Sequence, residues 1–429
     1  MFALLKLTGV LAGIVFLLSR KWNLGLVLLL ASVAVGLLFG HPLPAIGRDV
    51  ALATVDVLTL RLALAVVLIM TLGELLRQTA GLQGMVTALQ ALVTDGWVVI
   101  AALPALIGLL PMIGGAMFSA PMVDEVGQHL GVNAERKTFV NYWFRHIWEP
   151  IFPVYPSMLL AAELLGLSTL QLARATLPLT ATAILGGLLF GLLGLPHRAS
   201  RAAPATSRGL NLRILASSIW PVALVIALSM TLPVDERYSL ILSLLVTITL
   251  LMLAQRIPLR GAGGPALPLR GAGGPALPLG SLGAILRYRI PWKTVVVIFG
   301  ALIFRRVLDE SGAVLATSQA LTELHIPLSA VAFAVPFIAG LLTGLMAAAY
   351  SIAFPVVYPL VAVGGGAVAS SWVTWLMVGG FLGTMLSPVH LCLALTREYF
   401  QARWGPIYRL LVPSSLLIVG VAAGILWLA

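Results

Sequence analysis

Glu149 lies inside an apolar run, NYWFRHIWEPIFPVYPSMLLAAELLG, immediately before Pro150, with Pro153 and Pro156 close behind. An ionisable group in such a run is costly to bury and is read first as functional. It can relay a proton, ligate Na⁺, or pair with Arg145 one helical turn earlier. A second run, TMLSPVHL, is interrupted in the same way. There Thr384 and Ser387 offer hydroxyls, and His390 can hydrogen-bond a substrate or carry a proton. Two further stretches supply backbone and hydroxyl groups: Gly114, Gly115 and Ser119 in the first, Thr343 and Ser351 in the second. The candidate substrate- and ion-binding set is therefore Gly114, Gly115, Ser119, Glu149, Pro150, Thr343, Ser351, Thr384, Ser387 and His390, with a possible Na⁺ position at Gly114, Gly115 and Ser119.

The elements that must position these groups are broken apolar segments. Leu103 to Val123 reads LPALIGLLPMIGGAMFSAPMV, with Pro111, Gly114 and Gly115 in its interior. Gly costs about 1 kcal/mol and Pro about 3 kcal/mol in a helix interior. Inside a bilayer such breaks are tolerated where the freed backbone is buried in protein or lines a wet cavity. Val335 to Val357, VPFIAGLLTGLMAAAYSIAFPVV, has the same design: Pro104 matches Pro336, Gly108 matches Gly340, and Ser119 matches Ser351. Paired interrupted segments in two halves of a chain are the best sequence pointer to a transporter site. A hairpin there brings helix N-termini, with free N–H groups and partial positive charge, to the membrane midplane, where they can bind an anion.

Composition fixes the class. The chain has 429 residues, 60% of them hydrophobic and 10% charged, with a mean hydropathy of +1.05. Soluble domains do not approach that average, so a polytopic membrane protein is expected. The net charge of +11 sits in short loops between apolar runs. That is the positive-inside pattern, not a nucleic-acid surface. A single cysteine, Cys392, leaves no disulfide framework, and no thiolate metal site is expected. There is no G-x-x-x-x-G-K-[ST] loop for ATP drive and no H-E-x-x-H motif for an intramembrane enzyme.

Read in order, apolar runs at 1–19, 22–40 and 50–77 are separated by Arg20-Lys21 and a Pro-containing loop, His41 to Asp49. An amphipathic stretch, 80–95, follows, then a hairpin at 97–130, a broken span at 139–166 and a final span at 170–195. The second half repeats this order, with a connector at 312–326, a hairpin at 327–366, a broken span at 370–400 and a last span at 403–428. The halves pair residue by residue at an offset that drifts by only a few positions: Gly81 with Gly312, Pro153 with Pro388, Tyr155 with His390, Glu163 with Glu398, Arg174 with Arg409. The expected organisation is a first repeat at 1–196, a cytoplasmic linker at 197–213 and a second repeat at 214–429. Within the second repeat, 257–288 is an inserted Gly/Pro loop that contains PLRGAGGPAL twice in succession. An odd number of crossings per repeat makes the second copy inverted. Each copy has three scaffold spans, a re-entrant hairpin, a broken span and a final span. Arg20, Lys21, Arg136, Lys137, Arg198, Arg201, Arg208, Arg213, Arg397 and Arg403 collect on one side, which is expected to be cytoplasmic, with both termini on the other. Arg305 and Arg306 end a span and are expected to snorkel. Asp124 and Glu125 are expected to be solvated, and Asp56 to lie within the third span.

This order resembles the ion transporter superfamily, which includes the divalent-anion/sodium symporters. The phrases MIGGAMFSAPMV and NYWFRHIWEPIFPVYP resemble those of one functionally uncharacterised family of integral-membrane, permease-like proteins within it. The paired Ser-Asn-Thr signatures of the symporters are not found. The resemblance implies a secondary transporter with an elevator movement, a homodimer in the cell's inner membrane. The expected activity is Na⁺- or H⁺-coupled transport of a small, anionic organic solute, without a cofactor. A cation/proton antiporter centred on Glu149 is the nearest alternative, and a channel or intramembrane enzyme the alternatives of another class.

Overall fold

The computed structural model describes residues 2–78, 81–93, 95–109, 115–196, 208–255, 282–362 and 368–428. Among these the chain forms twenty α-helices and no β-strand. The first ten are α1 (Phe2–Ser19), α2 (Leu24–Leu38), α3 (Leu43–Val55), α4 (Val57–Gln78), α5 (Gly81–Leu92), α6 (Gly96–Gly108), α7 (Ala116–His129), α8 (Ala134–His146), α9 (Pro156–Leu164) and α10 (Thr169–Gly186), the last continued by a π-helical turn, Gly187–Leu192. The rest are α11 (Arg208–Thr231), α12 (Glu236–Ala254), α13 (Leu282–Tyr288), α14 (Trp292–Glu310), α15 (Ala313–Glu323), α16 (Leu328–Thr343), α17 (Met346–Val361), α18 (Ser370–Met385), α19 (Leu391–Tyr399) and α20 (Trp404–Leu428).

Five of the helical segments are long and apolar enough to cross a membrane: Phe2–Ser19, Val57–Arg77, Thr169–Leu192, Arg208–Thr231 and Trp404–Leu428. Shorter helices also carry apolar outer faces. α2 buries Val27, Leu28, Ala31 and Val35 on one side and exposes Leu26, Leu30, Val33 and Leu37 on the other. A helix that is hydrophobic all round suits a membrane environment, and exposed apolar surface on this scale suits lipid. Without a hydrophobic drive between helices, close backbone approach matters more, and small residues provide it. Gly25 and Gly300 let α2 and α14 touch: a Cβ on Gly25 would lie 2.5 Å from the Val296 carbonyl oxygen, and one on Gly300 would lie 2.7 Å from that of Gly25. Gly379 and Gly383 do the same for α18 against Phe333 and Phe337 of α16.

Both interrupted apolar stretches become pairs of packed helices, α6 with α7 and α16 with α17. Both broken runs become two helices with an irregular link, α8 to α9 through 147–155 and α18 to α19 through 386–390. The packing is reciprocal. α6 lies on α8 and α16 on α18; α7 lies on α19 and α17 on α9; α10 packs on α18 and α20 on α8.

Several boundaries differ from the sequence reading. The third run is two helices, because Asp56 is extended (φ −59°, ψ 132°) and its carboxylate takes the Leu58 N–H at the start of α4. Most of the supposed loop at His41 to Asp49 is the start of α3, with Pro42 at its N-cap and Pro44 in its first turn, where a proline's fixed φ and missing N–H cost nothing. The connector at 312–326 contains α15, the linker ends inside α11, and the inserted loop contains α13; residues 197–207 of the linker and 257–281 of the inserted loop lie outside the described residues. Arg305 and Arg306 turn inward. Arg305 donates to the Glu163 carbonyl at 3.0 Å, and Arg306 faces the buried Asp49 at 3.6 Å. Asp124 is paired with Lys137 and accepts from Gln128.

Candidate functional site

The links of the two broken runs meet in the interior. α8 runs from a cap at Asn133, whose side chain accepts from the Arg136 N–H, and ends at His146. Its last turn carries Tyr142, Arg145 and His146, all buried. From the other run comes His390, the residue before α19, also buried. The two imidazoles stand edge to face with Nε2 atoms 3.2 Å apart, and Arg145 Nη1 is 3.2 Å from the same His146 nitrogen. Glu149 completes the group: its Oε1 is 3.9 Å from His146 Nε2 and 4.0 Å from Arg145 Nη1. Both distances exceed hydrogen-bond reach, so the carboxylate faces two cationic or polar neighbours without being locked to either. Cys392 lies within 4.8 Å of both histidines, ligand atom to ligand atom.

The two helix pairs close over this centre. The end of α6 presses on the first link: the Gly108 carbonyl accepts from the Tyr155 hydroxyl, and a Cβ on Gly108 would collide with the Arg145 carbonyl oxygen. The end of α16 presses on the second. Ser387 donates to the Leu341 carbonyl at 2.6 Å, and His390 Nδ1 donates to that of Gly344 at 2.7 Å. Gly344 itself has φ +64°, a left-handed turn that glycine adopts without a steric cost. Asn141 ties in α7 by donating to the Ala116 carbonyl at 2.9 Å.

Four helices begin around these links: α7, α9, α17 and α19. None has a side-chain cap. α2, α6, α8 and α10 are capped by Asn23, Asp95, Asn133 and Ser168, whereas α3, α14, α15, α16 and α18 also start without a side-chain cap; the four are set apart by where they begin, around the two links. An uncapped start leaves N–H groups and a partial positive charge exposed to whatever occupies the space in front of it. Among the described residues, three buried polar atoms nearby also lack a partner: Thr384 Oγ1, Tyr350 Oη and Asn141 Oδ1. Such atoms are uncommon, and these three are free to bond a group that enters the centre.

The residues singled out in the sequence divide. Glu149 and His390 are brought together, and Thr384 lies against Gly340 at the end of α16. The Pro150 carbonyl accepts from Thr176, so it supports the link from outside. Ser119 and Ser351 are buried but donate within their own helices, each at 3.2 Å, to Ala116 and Ala348. Thr343 donates to Ala339 at 2.7 Å. Gly115 is buried at the start of α7, whereas Gly114 and Pro111 lie outside the described residues. Arg145, His146, Tyr142, Tyr350 and Cys392 did not enter the predicted set. Arg145 and His146 are visible in NYWFRHIWEP as charge inside an apolar run. Cys392, Tyr142 and Tyr350 carry no such signal.

The molecule so described is a helical protein of membrane type with a buried, charged centre where two interrupted helices cross. The chain belongs to the family described as protein of unknown function, DUF401, whose model matches residues 2–260 and 279–429. The unmatched interval falls on the duplicated PLRGAGGPAL stretch. No curated protein matches the chain.

Proposed function

We propose that this protein is a secondary active transporter, an ion-coupled permease for a small organic anion, working by elevator-type alternating access and not an enzyme. The observation that carries the reading is the convergence of a buried arginine, Arg145, with four uncapped helix starts and three unpartnered polar atoms. Helix N-termini and a planar guanidinium are suited to a carboxylate or oxyanion. Discontinuous helices with their N-termini at the centre are the recurring device of secondary transporters.

In this reading α1–α10 and α11–α20 are inverted repeats, and α6–α7 and α16–α17 are re-entrant hairpins. The exchange of partners between the two sets supports it: α7 on α19, α17 on α9. Residues 1–77 and 214–308 form the scaffold; the hairpins, broken spans and last spans move. The protein is placed in the inner membrane as a homodimer with both termini on the non-cytoplasmic side. Arg61 of α4 holds Glu163 of α9 at 2.8 Å across the boundary between the two parts. A crosslink between α4 and α9 should therefore stop transport and spare ligand binding. Transport that survives it excludes this division.

Na⁺ or H⁺ is the coupling ion, and Glu149 is its carboxylate. The looseness of Glu149 also favours a second reading, a cation/proton antiporter centred on that residue. A thermal-stability screen of the detergent-purified protein separates them. Mono- and dicarboxylates, oxyanions and cations are tested in Na⁺ and in K⁺ at two pH values. A ligand at a hundred times its Kd adds about 2.7 kcal/mol to the folded state. Stabilisation by one anion class, larger in Na⁺ or at low pH, is the expected result. Stabilisation by Na⁺ or pH alone, lost in Glu149→Gln, would replace it with the antiporter.

A further inference from the structure

The geometry points to a binding site for one thiophilic transition-metal ion, of the Zn²⁺ or Cu⁺ class, held by His146 Nε2, His390 Nε2 and Cys392 Sγ. The other ring nitrogens fix the tautomers. His146 Nδ1 is 2.6 Å from the Tyr142 carbonyl oxygen and His390 Nδ1 is 2.7 Å from that of Gly344. A carbonyl only accepts, so each Nδ1 carries the proton. Each neutral imidazole then presents an Nε2 lone pair; that of His146 also faces the Arg145 Nη1 donor at 3.2 Å, a contact a metal ion would displace. These two lone pairs point into one space, 3.2 Å apart. Facing lone pairs repel unless a cation lies between them.

A tetrahedral metal with bonds of about 2.0–2.1 Å to each nitrogen sets its two nitrogens roughly 3.3–3.4 Å apart, close to the separation found. The Nδ1–H to carbonyl bond on both rings is the support that metal-bound histidines almost always have, because it fixes the tautomer and aims Nε2. The Cys392 sulfur lies within 4.8 Å of a ring nitrogen of each histidine, and all three residues are buried. Two imidazoles and a thiolate suit zinc or copper and not Na⁺ or Mg²⁺. Arg145 and Glu149 are the charged groups alongside. The thiolate and the Glu149 carboxylate together offset the charge of a divalent ion. The site joins the two broken runs, one ligand coming from the first and two from the second. It revises the expectation drawn from a lone cysteine, since two histidines complete the set. It does not depend on the transport reading.

Cys392 is the chain's single cysteine, so thiol chemistry on the full-length protein reports on this site alone. The metal-stripped, detergent-purified protein is titrated with Co²⁺. One equivalent should produce a thiolate-to-cobalt charge-transfer band and intense visible bands of a tetrahedral ion, and one equivalent of Zn²⁺ should bleach them. The charge-transfer band should vanish in Cys392→Ser, whereas replacing the exposed His129 by Gln should leave it unchanged. Zn²⁺ should also slow alkylation of Cys392 in the unmodified chain by at least tenfold, a readout that needs no variant to fold. If no band appears in folded protein, or it persists in Cys392→Ser, or Zn²⁺ leaves the alkylation rate unchanged, the site does not exist and the two histidines share a proton instead.

Discussion

Arg145→Gln is expected to abolish the stabilisation that an anionic ligand confers, while leaving the unliganded protein folded. Arg145 is 3% exposed and lies beside His146, with Glu149 at the edge of contact. Removing one partner of a buried, hydrogen-bonded charge pair costs about 2–5 kcal/mol of binding, which is roughly thirtyfold to several thousandfold in Kd. Glutamine keeps a polar planar head and two donors, so the loss is assigned to the charge. Arg145→Lys separates charge from shape. A lysine keeps the positive charge but not the rigid fork that matches a carboxylate, and a partial loss of affinity is expected. Ligand-dependent melting of the three proteins decides the matter. Unchanged anion affinity in Arg145→Gln would remove the arginine from the site and the anion reading with it.

Gly383→Ala should produce the largest loss of stability from the smallest chemical change. A Cβ there would collide with the Phe337 carbonyl oxygen and lie 2.8 Å from its carbon, so the atom in the way is backbone and cannot rotate aside. Intrinsic helix propensity favours alanine by about 1 kcal/mol, yet overpacking a fitted interface costs about 1–3 kcal/mol, and here α16 as a whole must retreat from α18. The damage should reach the centre, because the end of α16 supplies the carbonyls of Leu341 and Gly344 that hold Ser387 and His390. Gly424→Ala in α20 is the comparison: nothing lies within 4 Å of its added carbon, so a neutral or slightly raised melting temperature is expected. Equal melting of the two variants would show that α16 and α18 are not packed through their glycines.

Much of the fold was legible before any coordinates. The breaks at Pro150 and at Pro388, and the helix pairs on either side of Gly115 and Gly344, follow from residue types that a helix interior does not accept. The misplaced boundaries have a local cause. At Asp56 one carboxylate caps a new helix inside an otherwise continuous apolar run, and hydropathy does not register a single cap. The candidate site was legible in part. Glu149 and His390 stood out because charge is conspicuous in apolar sequence. Ser119 and Ser351 stood out by symmetry; in the structure their hydroxyls donate inside their own helices, which occupies the hydrogens and leaves the oxygen lone pairs.

The sequence by itself determined the class of protein and the positions of its interruptions, because these depend on composition and spacing along the chain. Only the tertiary structure decided which interrupted ends meet. His146 and His390 are 244 positions apart, and nothing in either local sequence says that their Nε2 atoms face each other. Two carbonyls aim them, those of Tyr142 and Gly344. Backbone carbonyls are the same in every residue, so their direction is set by how helices pack and is invisible in the letters. Cys392 shows the same limit. In the sequence it is one thiol in an apolar run, and it gains a chemical role only when the crossing of two broken helices brings both imidazoles within reach.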